Sequence, residues 1–202
     1  MKENRQTRRR EATRSKLVEA AKSLFARQGV DNTRIQEITE EADVGFGSFY
    51  NHFESKDAIV EAVLEETVAA QGAAIDRLTA GLDDPAEVIS VAHRHFVRLA
   101  RTDPEWALLL IRLDGSHDVM VRALAPLARR DLRRGVKNGR LSVPNETVAL
   151  HGSGGAMLSV MRAVLDGIAP KDADVHHAEC VLRMLGLPRE DAAEVARRPL
   201  PS

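Results

Sequence analysis

A chain of 202 residues with 44% hydrophobic residues is long enough to bury a core without staples, and its single cysteine excludes an intrachain disulfide or a cysteine zinc cluster. A formal net charge of −1 gives no overall pull toward nucleic acid or a membrane surface. No apolar run approaches the roughly 20 residues of a membrane helix, and no apolar stretch follows the basic N-terminus, so the chain reads as soluble and cytoplasmic with no membrane partner.

Residues 1–12 carry Lys2, Arg5, Arg8, Arg9 and Arg10 against Glu3 and Glu11 and read as a flexible basic arm. The arm is either solvated or laid against a DNA backbone or minor groove. Leu17, Ala21, Leu24 and Phe25 then recur as one helical stripe, stopped by Gly29. Thr33 is placed to cap a short second helix carrying Ile35, Ile38 and Ala42. A third helix runs from near Phe46 to near His52, and Ser55 caps a long one from about Lys56 with Ile59, Val63 and Leu64 on its inner face. Asp83–Asp84–Pro85 stops one helix and starts another. Further helices fall at 85–102, 104–113, 117–138, 145–168 and 173–186. They are separated at Asp103–Pro104, Asp114–Gly115, Asn138–Gly139, Val143–Pro144 and Ala169–Pro170. The tail from Pro188 is polar and is expected to fray. With no alternating β pattern, the fold class is all-α. A three-helix unit over 13–56 follows the arm, a larger helical domain covers 57–187, and 188–202 is the tail.

The stretch "GFGSFYNHFESKD", residues 45–57, suits a phosphate-cradling loop, an aromatic cofactor pocket or the tip of a helix that touches something large. Its context decides. Ile35, Ile38 and Ala42 share one face, Asp43 stands where a sharp turn needs positive φ, and Phe49 and Phe53 lock the next helix inward. Two helices joined by so short a turn form a helix–turn–helix, whose second helix can enter a DNA major groove. Gly45, Phe46, Gly47, Ser48, Tyr50, Asn51 and His52 face outward, and none is acidic. Small residues at 47 and 48 let backbone approach the duplex. Tyr50, His52 and Lys56 offer donors or charge to phosphates, and Thr33 and Arg34 can grip the adjoining backbone.

The stretch "LVEAAKSLFARQGVDNTRIQEITEEADVGFGSFYNHFESKDAIVEAV" resembles the TetR family of bacterial transcriptional regulators. The match runs without a gap from about Thr13 to Leu64, roughly a quarter of the chain. The resemblance implies a homodimer that binds a palindromic operator and a C-terminal domain that binds a small-molecule inducer and dimerises through its last two long helices. It places Thr33, Arg34, Gln36, Gly45, Phe46, Gly47, Ser48, Tyr50, Asn51, His52 and Lys56 at DNA-contacting positions. Asp43 replaces a common glycine. Phe46 stands where a polar or basic residue is frequent, and either meets a thymine methyl or is buried.

The C-terminal half is less specific. Gly152, Gly155 and Ser159 allow close approach of another helix, expected across the dimer, with Leu182, Met184 and Leu185 as its partners. Cys180 reads as a buried small apolar residue. Phe96, Trp106, Met120, Met157 and Met161 are the expected ligand-lining residues, with Leu110, Leu113, Leu124 and Leu165 as further apolar material, for an apolar, aromatic or acyl effector. His93 and His95 lie about 200° apart on a helix, and neither His117, His151, His176 nor His177 completes an i, i+4 pair, so no metal site and no cofactor are expected. No nucleophile elbow or cysteine–base pair is present, and the chain does not read as an enzyme. The leading reading is a ligand-responsive repressor released from double-stranded operator DNA. The rival is a helical binding or carrier protein without sequence-specific DNA binding.

Overall fold

The computed structural model describes residues 5–112 and 116–201. Lys2, Glu3, Leu113, the Asp114–Gly115 break and the side chain of His117 lie outside the described residues. Ten helices are formed among the described residues: α1 (Arg5–Gln28), α2 (Ile35–Glu41), α3 (Phe46–Phe49), α4 (Lys56–Thr79), α5 (Pro85–Thr102), α6 (Pro104–Arg112), α7 (Ser116–Lys137), α8 (Glu146–Leu165), α9 (Ala173–Met184) and α10 (Arg189–Arg197). The chain divides inside α4, into Met1–Thr67 and Val68–Ser202. The expected edge at Lys56 is too early because Ile59, Val60, Val63 and Leu64 are all buried and complete the core of the first unit.

In that unit Leu17, Val18, Ala21, Ile38 and Phe49 are sealed from solvent. Gly29 ends α1 with φ 79°, a conformation open to glycine without strain. Residues 5–12 are helical rather than a flexible arm. They hold no proline or glycine, and Arg, Gln, Glu and Ala are adequate helix formers that extend α1 as an exposed continuation of its buried stripe. Thr33 does not cap α2. The turn after Gly29 folds it inward to 1% exposure, where its hydroxyl donates to Gly29 O at 2.8 Å. Arg34 is the capping residue instead, its N–H donating to Glu37 Oε2 at 2.7 Å. Asp43 turns the chain at φ 53°, and Val44 N–H donates to Thr39 O at 3.0 Å across the elbow.

In the second unit, side-chain caps mark the helix starts. Asp84 accepts from Ala86 N–H at 3.0 Å before α5, and Asn145 from Val148 N–H at 3.0 Å before α8. α5 packs on α7, α8 and α9. One apolar cluster joins Ala86, Ile89, Leu132, Leu141, Ala149, Val181, Leu182, Leu185, Leu187, Ala192 and Val195. The last two belong to the segment expected to fray. The spacing of Ala192, Val195 and Ala196 makes residues 189–197 an amphipathic helix, and burial of that face holds it down. An ion pair and a hydrogen bond fasten its end: Arg198 Nη1 lies 2.6 Å from Glu87 Oε2, and Arg94 Nη1 donates to Arg198 O at 2.7 Å. Gly186, at φ 96°, admits no side chain, since a Cβ there would stand 2.5 Å from Ser142 O. α8 is long and apolar enough by length and composition to cross a membrane, contrary to expectation, because glycine, alanine and methionine replace the usual polar face. It lies against α5, α6, α7 and α9.

Candidate DNA-binding face and ligand cavity

The short helix α3 is held from below. Phe49 is fully buried, with its ring 5.6 Å from that of Phe53. Backbone bonds continue the turn past the helix end, with His52 and Phe53 N–H both donating to Phe49 O at 2.9 Å. Gly45, Gly47 and Asn51 are exposed, and Ser48, His52 and Lys56 are half-buried. Tyr50 is 53% exposed and Phe46 51%, their rings edge to face at 5.8 Å. This settles the direction of Phe46, which points outward beside Tyr50. Arg34 and Gln36 are exposed on α2, where Gln36 donates to Glu40 Oε1 at 2.8 Å. From α1, Arg10 donates to Asn51 O at 3.4 Å, while Arg14 sits over the Phe53 ring. Partial burial, then the charges of Arg10 and Arg14, lower the pKa of His52. The surface is thus basic at its edge and free of carboxylates along α3. Thr33, buried, leaves the outward set.

The second unit forms a partly open cavity of about 150 Å³, walled by α4, α5, α7, α8 and Leu185. An apolar cavity of about that size takes one benzene ring in another protein. Ile89, Ala92, Phe96, Met120, Leu124 and Met157 make much of the wall. Gly72 lets α4 approach α7, since a Cβ there would meet Leu124 and Leu127 at 3.1 Å. Asp76 and Asp131 also line the cavity. Arg130 bridges them, with Nη2 2.8 Å from Asp76 Oδ1 and 3.0 Å from Asp131 Oδ2. Arg129, also lining, has Nε 2.8 Å from Glu146 Oε1, close enough to pair as charges but off the line of an N–H bond.

His93 completes the wall from α5, its Nδ1 3.0 Å from Nε2 of His177 on α9. Burial, and for His93 the neighbouring imidazole, depress both, His93 to about 3 and His177 to about 4. Both rings are therefore neutral at physiological pH. The unfolded chain takes up these protons below about pH 6.5 and the folded chain does not, so the stability is full above that pH and falls as pH drops toward 4. With two imidazoles taking up protons only in the unfolded chain, unfolding free energy is expected to drop by roughly 2–2.5 kcal/mol per pH unit between pH 6 and 4. Urea titrations at stepped pH check this, and His177→Phe is expected to flatten the slope.

The matches to known proteins follow this division. Residues 17–63 match the family described as bacterial regulatory proteins, tetR family. Residues 84–198 match the tetracyclin repressor-like C-terminal domain. The chain belongs to the TetR family. It is a DNA-binding transcriptional regulator and not an enzyme, and the rival carrier reading falls. Over 57 residues it is 46% identical to the HTH-type transcriptional repressor DhaR of Mycobacterium sp. (strain GP1), which covers 28% of this chain and 29% of DhaR. The chain spans about a quarter to a third of the length of the curated relatives it matches. The crystal structure of RolR in complex with resorcinol superposes with a TM-score of 0.86 at 38% identity, covering 97% of this chain and 98% of that one. RolR without ligand gives a TM-score of 0.82 at 37% identity, covering 93% and 98%.

As a tetracyclin repressor-like C-terminal domain, the second unit departs from the sequence reading at several residues. Phe96, Met120 and Met157 line the cavity, whereas Trp106 and Met161 do not. Trp106 stacks behind Phe96 with ring centroids 6.1 Å apart, and Met161 is fully buried core. Asp76 and Asp131 escape a reading that looks for apolar pocket material. Their available signal is an acid set in an apolar stripe, as Asp131 is beside Leu124, Ala128 and Leu132. Leu182 and Leu185 are not surface residues. They are 0% and 3% exposed in the unit's own core, because the apolar stripe of α9 faces inward. The outer face of α9 carries Met184 and Cys180, and Cys180 is exposed rather than buried. Gly152 and Ser159 of α8 are exposed in line with Val148, and Gly155 has open space where a Cβ would stand. His93 and His95 diverge as their spacing requires, His95 Nε2 lying 2.8 Å from Gln71 Oε1.

Proposed function

We propose that this TetR-family chain is a dimeric repressor that leaves its operator when a monocyclic, hydroxyl-bearing aromatic compound enters the cavity. The observation that carries the effector class is the cavity itself: room for about one ring, an apolar wall, and two carboxylates to accept phenolic O–H bonds. The complex of RolR with resorcinol, a ring with two hydroxyls, supports the same class. Arg34, Gln36, Gly45, Phe46, Gly47, Ser48, Tyr50, Asn51, His52 and Lys56 meet the operator, and Arg10 reaches the phosphates beside Asn51. The outer stripe of α8, Val148, Gly152, Gly155 and Ser159, with Met184 of α9, forms the homodimer contact. Two such units one helical turn apart, about 34–36 Å, fit successive major grooves. The effector releases them only if it binds the unfitted spacing more tightly than the fitted one. Operator DNA places the protein in the cytoplasm.

The test is a gel-shift titration with the DNA upstream of the protein's own gene, with and without resorcinol or phenol. Sequence-selective binding of a dimer, weakened at least about tenfold by one of the two, is expected. Affinity unchanged at saturating ligand contradicts the effector class, and equal affinity for unrelated DNA contradicts the operator.

A further inference from the structure

Of the polar groups at the cavity, His93 is the one joined to another helix by a second buried histidine. His93 Nδ1 is taken by His177. The rings stand 5.1 Å apart at 53°. His93 Nε2 has no hydrogen-bond partner among the described residues, yet it is not among the buried polar atoms sealed without one. On a residue that lines the cavity, that nitrogen is left to the cavity. A nitrogen kept there amid Ile89, Ala92, Phe96 and Met157 is a cost to an empty pocket and an asset to one that holds a polar ligand.

We propose that His93 Nε2 bonds a ring hydroxyl of the aromatic effector, and that His177 sets the direction of that bond. The proposal rests on the effector class argued above and adds the residue that selects for the hydroxyl. Each neutral imidazole has one N–H. When His177 Nε2 donates to His93 Nδ1, the His93 proton is on Nε2 and is donated to the ligand oxygen. When His93 Nδ1 donates, Nε2 accepts from the ligand O–H. Either arrangement satisfies a hydroxyl, which both donates and accepts. Neither offers a positive charge, so the pair favours a phenol over a carboxylate. His93 is the contact, and His177 is a positioning residue.

Calorimetric titration of the full chain with resorcinol, phenol and toluene tests this. The wild type is expected to bind in that order, with about tenfold between steps. His93→Phe is expected to lose one step while keeping its affinity for toluene, which also shows that the variant folds. His177→Phe is expected to lose the same step, and His177→Gln, whose amide still meets His93 Nδ1, to keep it. Nitrogen-15 spectra of the wild-type imidazoles give a reading without mutation: resorcinol is expected to shift the His93 Nε2 resonance and toluene to leave it. If the wild type binds none of the rings, the effector class fails and the proposal with it. If the wild type shows both steps and His93→Phe keeps them, or if resorcinol leaves Nε2 unmoved, the proposal alone is overturned.

Discussion

Gly47→Glu is expected to weaken operator binding at least 100-fold, about 3 kcal/mol, without changing thermal stability. Gly47 is exposed in α3, and a Cβ there would meet nothing within 4 Å, so the fold accepts the new side chain. What changes is the sign of the surface. Gly45, Phe46, Ser48, Tyr50 and Asn51 carry no acid, and Arg10 and Lys56 flank them. A carboxylate at the centre of that face would meet DNA phosphates as a like charge. Gly47→Ala separates charge from bulk and is expected to cost much less. Lys56→Ala is expected to lower the slope of log affinity against log salt concentration by about one, the signature of one lost phosphate contact. Fluorescence anisotropy across a salt series measures all three. If Gly47→Glu binds within a few-fold of the wild type, α3 is an ordinary solvated helix and not the recognition surface.

The second large effect belongs to the other unit. Asp174→Ala is expected to destabilise the protein by about 3–5 kcal/mol. Asp174 Oδ2 lies 3.3 Å from Arg94 Nε and 2.7 Å from Arg98 Nε, and the side chains of Asp174 and Arg94 are only 8% and 6% exposed. Arg98 is half exposed and can turn to water, but Arg94 cannot. Truncation therefore leaves a buried guanidinium without its counter-charge. Burial alone would raise the pKa of Asp174, but the bonds and charges of Arg98, then Arg94, outweigh it and hold the carboxyl below its ordinary value. With a depressed folded pKa, this contribution is full above about pH 4 and is lost as pH falls through the folded value. That loss begins only where most of the His93–His177 contribution has already gone. Trp106 is the chain's single tryptophan and is buried in the second unit, so its fluorescence in urea reads the loss there. A change under about 1 kcal/mol would show that Arg94 finds water or another partner.

The elements that were legible in the sequence share one physical property: they are decided by neighbours along the chain. Ser55, Asp84 and Asn145 each accept from a backbone N–H two or three residues ahead. Asp43 takes the left-handed turn that the short connection between two helices requires. The outward set from Gly45 to Lys56 spans little more than one helix and a turn, so once Phe49 and Phe53 are assigned inward the rest follows by rotation about one axis. Thr33 failed within this local frame because the loop after Gly29 turned it under the helix, a choice made by packing rather than by capping preference.

The cavity and its surroundings obey distance in space. Asp76 and Asp131 meet through Arg130, and His93 meets His177, although 55 and 84 residues separate them in the chain. Periodicity names the apolar face of each helix but not the neighbour that the face receives. Periodicity alone therefore puts Leu182 and Leu185 at a dimer contact, whereas they close this chain's own core, and puts Trp106 at the cavity, whereas it stands behind the wall. The segment after Pro188 looked too polar to hold, yet three small side chains and Arg198 dock it. By itself the sequence determined most of the helices, several of their caps and the outward face of α3, because hydrogen bonds and rotation within a few residues fix those. Only the tertiary structure decided which carboxylates line one cavity and which histidine backs His93, because that depends on how five separate segments pack around one void.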